Sequence, residues 1–395
     1  MNRRVVIFSA SVGAGHDSFA AALADRLDGR GLTVDRHDFL DLMPAGSGRL
    51  LRASYKYMLK SRPGMYERVY ERTMRHGKPG VAQRRLLRAS ERAVLEAVPD
   101  DTAAVVATYP LAAQVLGRLR RTGRIAVPVV TCLTDFSVHP LWITQGVDLY
   151  LAACEEAAAQ ARAHGATQVR TCGPLVDRRF GPSSSAAKAD ARRRFGLPAH
   201  GSLALLVGGS WGVGDLARTA ADLADSKVVV PVVVCGKNQE LAHRLRTNGI
   251  AHVFGWVDDM PGLMAAADVM VQNAGAASTL EAFAAGLPVA TYRCLPGHGR
   301  YNAAVLDRAG LAVRVRSYTE LAPALERLAA GPLGRRQRAS GLALVAAEAG
   351  AGSAESAVYE LIRAASGEAV VTTYAIPAIP AQRGAEAARL EGSLA

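Results

Sequence analysis

The feature that most limits what this chain can become is a short apolar run entering a glycine-rich loop that opens a helix. It occurs twice, once from Val5 and again from Leu203. Val5–Phe8 runs into Ser9-Ala10-Ser11-Val12-Gly13-Ala14-Gly15-His16, after which Phe19, Leu23 and Leu27 recur at helical spacing. Leu203–Val207 runs into Gly208-Gly209-Ser210-Trp211-Gly212. A strand, a tight loop and a helix leading to another strand form a crossover unit, so each occurrence opens a parallel sheet. Further strands are predicted from Leu32, over Ala103–Ala107, Val127–Leu133, Leu149–Ala152 and Gln168–Thr171, and then over Val228–Val234, His252–Phe254, Val269–Gln272, Val289–Tyr292 and Ala312–Val315. The expectation is α/β: two doubly wound, Rossmann-like domains, residues 1–178 and 179–350, with a cleft between them. A closing helix over 351–367 and a tail over 368–395 complete the chain. Ligands of such sheets sit beyond the carboxyl ends of the strands.

A chain of 395 residues is long enough for two such cores, and with only 6% aromatic residues they must be built from Ala, Val and Leu. The five cysteines show no CxxC spacing, which argues against a disulfide framework or a zinc knuckle and fits a reducing compartment. The first apolar run is too short for a signal peptide, and no stretch approaches the roughly 20 residues of a bilayer span. The predicted location is therefore cytoplasmic.

The formal charge of +12 is local. Residues 49–92 hold thirteen Lys/Arg against three Glu, which is ten charges of that excess. Tyr55, Tyr57, Met58, Leu59, Met65, Tyr66, Val69, Tyr70 and Met74 are interleaved with them, Tyr55 standing beside Lys56. Basic and apolar residues mixed in this way describe an interfacial amphipathic element, an insertion over about 45–92. Such a segment seeks an anionic membrane surface at around 1 kcal/mol per basic residue. No nucleic-acid-binding motif accompanies the charge, so no nucleic-acid partner is expected.

The second half carries the denser motifs. Gly255-Trp256-Val257-Asp258-Asp259-Met260 precedes Gln272-Asn273-Ala274-Gly275-Ala276-Ala277-Ser278-Thr279-Leu280-Glu281, and Pro296-Gly297-His298-Gly299-Arg300-Tyr301-Asn302 follows. The small residues Gly275 to Ser278 open a helix and offer free N–H groups and a positive dipole end to an anion. Glu281, one turn further in, suits both hydroxyls of a ribose. In the first half, His16 stands on a loop at the carboxyl end of a strand, and its ordinary pKa near 6.5 suits removal of a proton from a hydroxyl. The loop is no Walker A motif, because the Gly-Lys-[Ser/Thr] ending is absent.

This order of motifs resembles glycosyltransferase family 28, with the monogalactosyl- and glucosyl-diacylglycerol synthases and the related peptidoglycan N-acetylglucosaminyltransferase. The resemblance covers about residues 1–365 and is strongest over 250–303. It implies the GT-B fold and a UDP-sugar as co-substrate, with no further cofactor and no metal. By resemblance, Val257 lies at the uracil, Gly275 and Ala276 hold the diphosphate with Ser278 beside them, and Glu281 takes the ribose. Gly209, Ser210 and Gly212 form a second phosphate-side loop, while Gly297, His298 and Asn302 reach the sugar. Gly13-Ala14-Gly15-His16 is similar to the Gly-Gly-Gly-His loop of the lipid synthases, and Thr134-Asp135-Phe136-Ser137-Val138-His139-Pro140-Leu141-Trp142 is a second family-like signature. It implies that His139 and Trp142 line the acceptor side.

His16 is the expected base, with Asp135 and His139 in support; which histidine acts is left open at this level. Tyr55, Lys56 and Tyr66, with Gly13 and Gly15, are assigned to the acceptor and membrane side. The resemblance thus implies an inverting, metal-independent hexosyl transfer to a membrane lipid, diacylglycerol above all, at the inner face of the cell membrane. Departures from the family pattern stand at His298-Gly299, where the lipid synthases carry Gln-Glu, and at Asp177, where a basic residue is usual and Arg178 is the expected substitute. Rival readings are a UDP-sugar 2-epimerase on the same fold and a non-catalytic UDP-sugar-binding protein. Oligomeric state is not legible.

Overall fold

The computed structural model describes residues 3–273, 275–347 and 352–367, so the tail expected over 368–395 lies outside the described residues. In the first half, β1 (Arg4–Ser9), β2 (Thr33–Asp38), β3 (Thr102–Ala107), β4 (Val129–Leu133), β5 (Leu149–Ala152) and β6 (Val169–Thr171) form one sheet in the order β2-β1-β3-β4-β5-β6. In the second half, β7 (Leu203–Val207), β8 (Val230–Val234), β9 (His252–Phe254), β10 (Val269–Gln272), β11 (Val289–Thr291) and β12 (Val313–Arg314) form another, ordered β12-β11-β10-β7-β8-β9. Every pairing in both sheets is parallel. Helices cover both faces, so the central strands are buried on each side and read as continuous apolar runs, such as Val5-Val6-Ile7-Phe8 and Val269-Met270-Val271, all with no exposed area.

The strand order decides where a ligand goes. In the first sheet the chain leaves β1 toward β2 on one side and returns to β3 on the other. In the second it leaves β7 toward β8 and returns to β10. At each reversal the loops beyond the two central strands part and leave a crevice. Three of those loops are singled out above, Gly13 to His16 after β1, Gly208 to Gly212 after β7, and Asn273 and Gly275 after β10; Thr108 to Pro110 after β3 joins them.

The halves face each other across these crevices. Asn302, 1% exposed on the helix His298–Arg308, accepts a hydrogen bond from Ser137 N at 2.8 Å and donates to Asp135 Oδ1 at 3.0 Å. Phe136 and Phe283 meet edge to face at 6.2 Å. The helix Ala354–Ala365, capped by Ser353, returns to the first half and buries Val358 and Ile362, with Arg170 paired to Glu360 at 2.7 Å. Between β2 and β3, the basic insertion folds as four helices, Ser47–Ser61, Pro63–His76, Val81–Ala89 and Glu91–Glu96.

Candidate functional site

A cleft of about 700 Å³ runs between the halves and is lined by all of the reversal-point loops. On the second-half side, Gly212 has φ +53°, and a Cβ there would run into the carbonyl oxygen of Cys235, so the loop after β7 closes only with glycine. Asn273 Nδ2 donates to Val213 O at 2.8 Å, and Leu295 N donates to Asn273 O at 2.6 Å, tying the loops after β7, β10 and β11 into one frame. Gly275 precedes the helix Ala276–Ala284 in extended conformation, and among the described residues no side chain caps the first turn. Its first N–H groups are therefore free for a ligand.

Glu281 faces the cleft from that helix without a hydrogen-bond or ion-pair partner among the described residues. Burial pushes its carboxyl up to about 7, and Asp177 adds to the rise. An unpartnered carboxylate beside free helix N–H groups is a costly arrangement that a ligand with hydroxyls and phosphates would relieve. Val257 and Trp256 line the same end, Trp256 half exposed with its Nε1 donating to Asp258 Oδ1 at 2.9 Å. Asp259 accepts from Gly262 N and pairs with Arg194, which makes it the cap of the helix Met260–Ala266. Among the described residues no group of three His, Cys, Asp or Glu converges as metal ligands.

On the first-half side, Gly15 and His16 open the helix Gly15–Asp28, whose N-terminus lies close to that of Ala276–Ala284; a Cβ on Gly15 would stand 3.8 Å from Cβ of Ala277. Two positive helix ends thus share one cleft. Asp17 holds the loop by accepting from Ser9 Oγ and Ser11 Oγ at 2.7 and 2.9 Å. His16 shares a hydrogen bond between Nδ1 and Thr134 Oγ1 at 3.2 Å, and its ring sits against Tyr109 and Trp142 at 5.2 and 6.1 Å. Burial lowers its pKa, partly opposed by the charge of Asp135, so the ring is neutral at neutral pH.

Several assignments made from sequence change here. His139 is not an open base: its Nδ1 accepts from Leu141 N at 3.0 Å and its Nε2 lies 3.0 Å from Thr73 Oγ1, so both ring nitrogens are occupied. Burial lowers its pKa to about 4, and its task is to cap Pro140–Trp142 and seat the helix Pro63–His76. Asp135 bonds Asn302 and neither histidine; Thr134 contacts His16 instead. Asn302 bonds the first half with both ends of its amide and is not among the residues that line the cleft. Trp142, 1% exposed, is wall material behind His16.

Tyr55 and Tyr66 do not face outward. Tyr66 is 7% exposed and stacks edge-on with Tyr55 at 5.4 Å, and Tyr55 meets Trp211 of the second half at 6.0 Å. Lys56 is exposed, with Nζ 5.8 Å over the Trp211 ring. Sequence periodicity held the signal: Tyr66, Tyr70 and Thr73 fall on one face of their helix, Met65, Arg68 and Arg72 on the other. Arg178 does not line the cleft; Arg179, exposed like it, reaches the rim beside Asp177, which it pairs at 2.8 Å. Sequence reasoning missed it because adjacent arginines carry no signal of which one reaches the rim of the cleft.

With the geometry in place, comparison with known proteins gives consistent matches. Residues 16–176 match the monogalactosyldiacylglycerol (MGDG) synthase family, and residues 203–330 match glycosyl transferases group 1. Among curated proteins the chain is similar to the processive diacylglycerol beta-glucosyltransferase of Bacillus pumilus (strain SAFR-032), 24% identical over 81% of this chain and 85% of that one. The enzyme of the same description from Bacillus thuringiensis (strain Al Hakam) is 27% identical over 81% and 84%. Among solved structures, Acinetobacter baumannii MurG aligns with TM-score 0.54 and 18% identity over 92% of this chain and 99% of that one. Medicago truncatula UGT71G1, complexed with UDP-glucose, aligns with TM-score 0.59 and 13% identity over 93% and 99%. These structures share the two-domain α/β fold, and the resemblance drawn from the motifs is borne out.

Proposed function

We propose that this chain, a GT-B glycosyltransferase whose halves carry the MGDG synthase and group 1 transferase domains, moves a hexose from a UDP-sugar to a hydroxyl of a membrane lipid, diacylglycerol foremost. The observation that carries this is one cleft holding an uncapped helix N-terminus with an unpartnered Glu281 on one wall and a neutral His16 on the other. Uracil lies by Val257, the ribose hydroxyls donate to Glu281, and the diphosphate takes the N–H groups at Gly275 and Ala276 with Ser278, Arg179 and the Gly209–Gly212 loop around it. With Nδ1–H donating to Thr134, His16 Nε2 accepts the acceptor's proton. The acceptor oxygen then bonds the anomeric carbon from the face opposite UDP as the bond to the β-phosphate oxygen breaks, which inverts the centre. Charge on the leaving diphosphate falls on the helix dipole and Arg179 without a metal.

The lipid acceptor requires a surface to work on. Among the described residues, five of the eight exposed large apolar side chains, Leu50, Tyr57, Met65, Val69 and Val81, lie in the basic insertion. Arg68, Arg72 and Arg75 are exposed around them without an ion-pair partner among the described residues. No helix of the described residues is long and apolar enough to cross a membrane. This supports peripheral docking on anionic lipid at the inner face.

The deciding assay supplies radiolabelled UDP-hexoses to the protein with diacylglycerol-containing vesicles. Labelled glycolipid should form only when both substrates are present. An epimerised nucleotide sugar formed without acceptor, or tight UDP binding with no transfer to any extracted lipid, would replace this function by one of its rivals. Reversing Arg68, Arg72 and Arg75 to Glu should weaken binding to anionic vesicles by at least about a hundredfold, from roughly 1 kcal/mol per basic residue. Calorimetric affinity for UDP should be unchanged.

A further inference from the structure

We infer that Tyr66 is a positioning residue for the transferred sugar, acting through His298, so that recognition of the hexose depends on how the basic arm is seated. The inference rests on the donor pocket described above. The helices Ser47–Ser61 and Pro63–His76 belong to the first half, where Thr73 meets His139, yet they also reach partners in the second. Lys60 Nζ donates to Glu240 Oε2 at 3.2 Å, Arg300 pairs with Glu67, and Tyr66 Oη lies 2.9 Å from His298 Nδ1 with the rings edge to face at 5.8 Å.

The backbone is shaped for this contact. Gly297 has φ +64°, and a Cβ there would come within 2.9 Å of ring atoms of both Tyr66 and Tyr70. A side chain at 297 is therefore excluded twice, by its own backbone and by the tyrosines laid on it. Only glycine lets the arm reach the loop that presents His298.

The chemistry follows from the hydrogen-bond inventory. Burial holds the Tyr66 phenol well above its usual range and the His298 ring below its own, so both are neutral. A neutral imidazole carries one proton; a phenol donating to Nδ1 leaves that proton on Nε2. His298 lines the cleft, so its remaining nitrogen offers an N–H to a hydroxyl or ring oxygen of the hexose. Without the phenol the ring is free to take the other tautomer or to rotate, and that donor is lost. A glutamine at 298 has its own N–H₂ and needs no partner to fix it.

A double-mutant cycle of Tyr66→Phe and His298→Gln tests this on the full chain, with calorimetric affinities for UDP and UDP-hexose and steady-state transfer to diacylglycerol vesicles. Tyr66→Phe should leave UDP affinity within about twofold and cut UDP-hexose affinity or kcat about tenfold, one buried hydrogen bond's worth. In the His298→Gln background the same change should cost less than about twofold. Equal losses from Tyr66→Phe in both backgrounds would show that it acts by packing alone and would overturn the inference. So would a parallel loss of UDP itself. A wild-type protein that binds neither UDP nor UDP-hexose would bring down the donor pocket, and this inference with it.

Discussion

Replacing Glu281 by Gln should weaken UDP binding about a hundredfold while making the unliganded protein more stable. Two hydrogen bonds from ribose hydroxyls to a buried carboxylate contribute roughly 1.5–3 kcal/mol each, and a neutral amide keeps only part of that. The stability gain comes from the same burial. The folded-state pKa of Glu281 is raised from 4.5 to about 7, so folding is opposed once the carboxyl ionises. That penalty is absent below the unfolded value, grows between 4.5 and about 7, and is complete above it, reaching up to about 3 kcal/mol. The Gln variant escapes it. Its melting temperature should exceed that of wild type by roughly 5 °C at pH 8 and match it at pH 4.

Ligand binding reads the same titration with the opposite sign. Ribose hydroxyls favour the ionised carboxylate, so wild-type UDP affinity should fall about tenfold per pH unit below 7 and be flat above. The phosphate titration of UDP is common to both proteins and cancels in their ratio. Calorimetry with uridine diphosphate across pH 5.5–8.5 measures that ratio. A pH-independent ratio would remove Glu281 from the ribose site.

His16→Ala should lower kcat by about 10²–10⁴, the usual range for losing a positioned general base, with UDP affinity within about twofold. The binding term is spared because the His16 ring packs on Tyr109 and Trp142 and bonds Thr134, all of the first half, and takes no nucleotide group. The pH profile separates His16 from Glu281. A base must be neutral to act, and burial outweighs the attraction of Asp135 in setting its pKa below 6.5. At saturating donor, kcat should therefore stay level through neutral pH and fall only on the acid side of that lowered value. Asp135→Asn removes a charge that raises the His16 pKa and should move this limb to still lower pH. A variant lacking the imidazole that kept wild-type turnover would assign the base elsewhere. His139, with both ring nitrogens engaged, would not be the next candidate.

The two-sheet architecture was legible because its signals are local. Strands buried on both faces must be apolar along their whole length, and loops at a sheet reversal must be small, so Val5 to His16 and Leu203 to Gly212 announce themselves within a dozen residues. All the strands written from these runs fall within two residues of those observed. Glu281 was legible for the same reason: its distance from Gly275 places it one turn into a helix whose start the glycine marks.

Polar side chains outside such local frames were decided by the folded chain. The role of an amide, an imidazole or a phenol depends on which other groups fill its hydrogen-bonding capacity, and those groups come from distant parts of the sequence. Asn302 finds Ser137, 165 residues away, and becomes a clamp between halves. Tyr66 finds His298 across 232 residues and turns inward from an arm whose composition pointed toward lipid. Thr73 closes His139, and Arg179, paired with Asp177, reaches the cleft where Arg178 does not. Periodicity reports which face of an element is buried, but not what it is buried against.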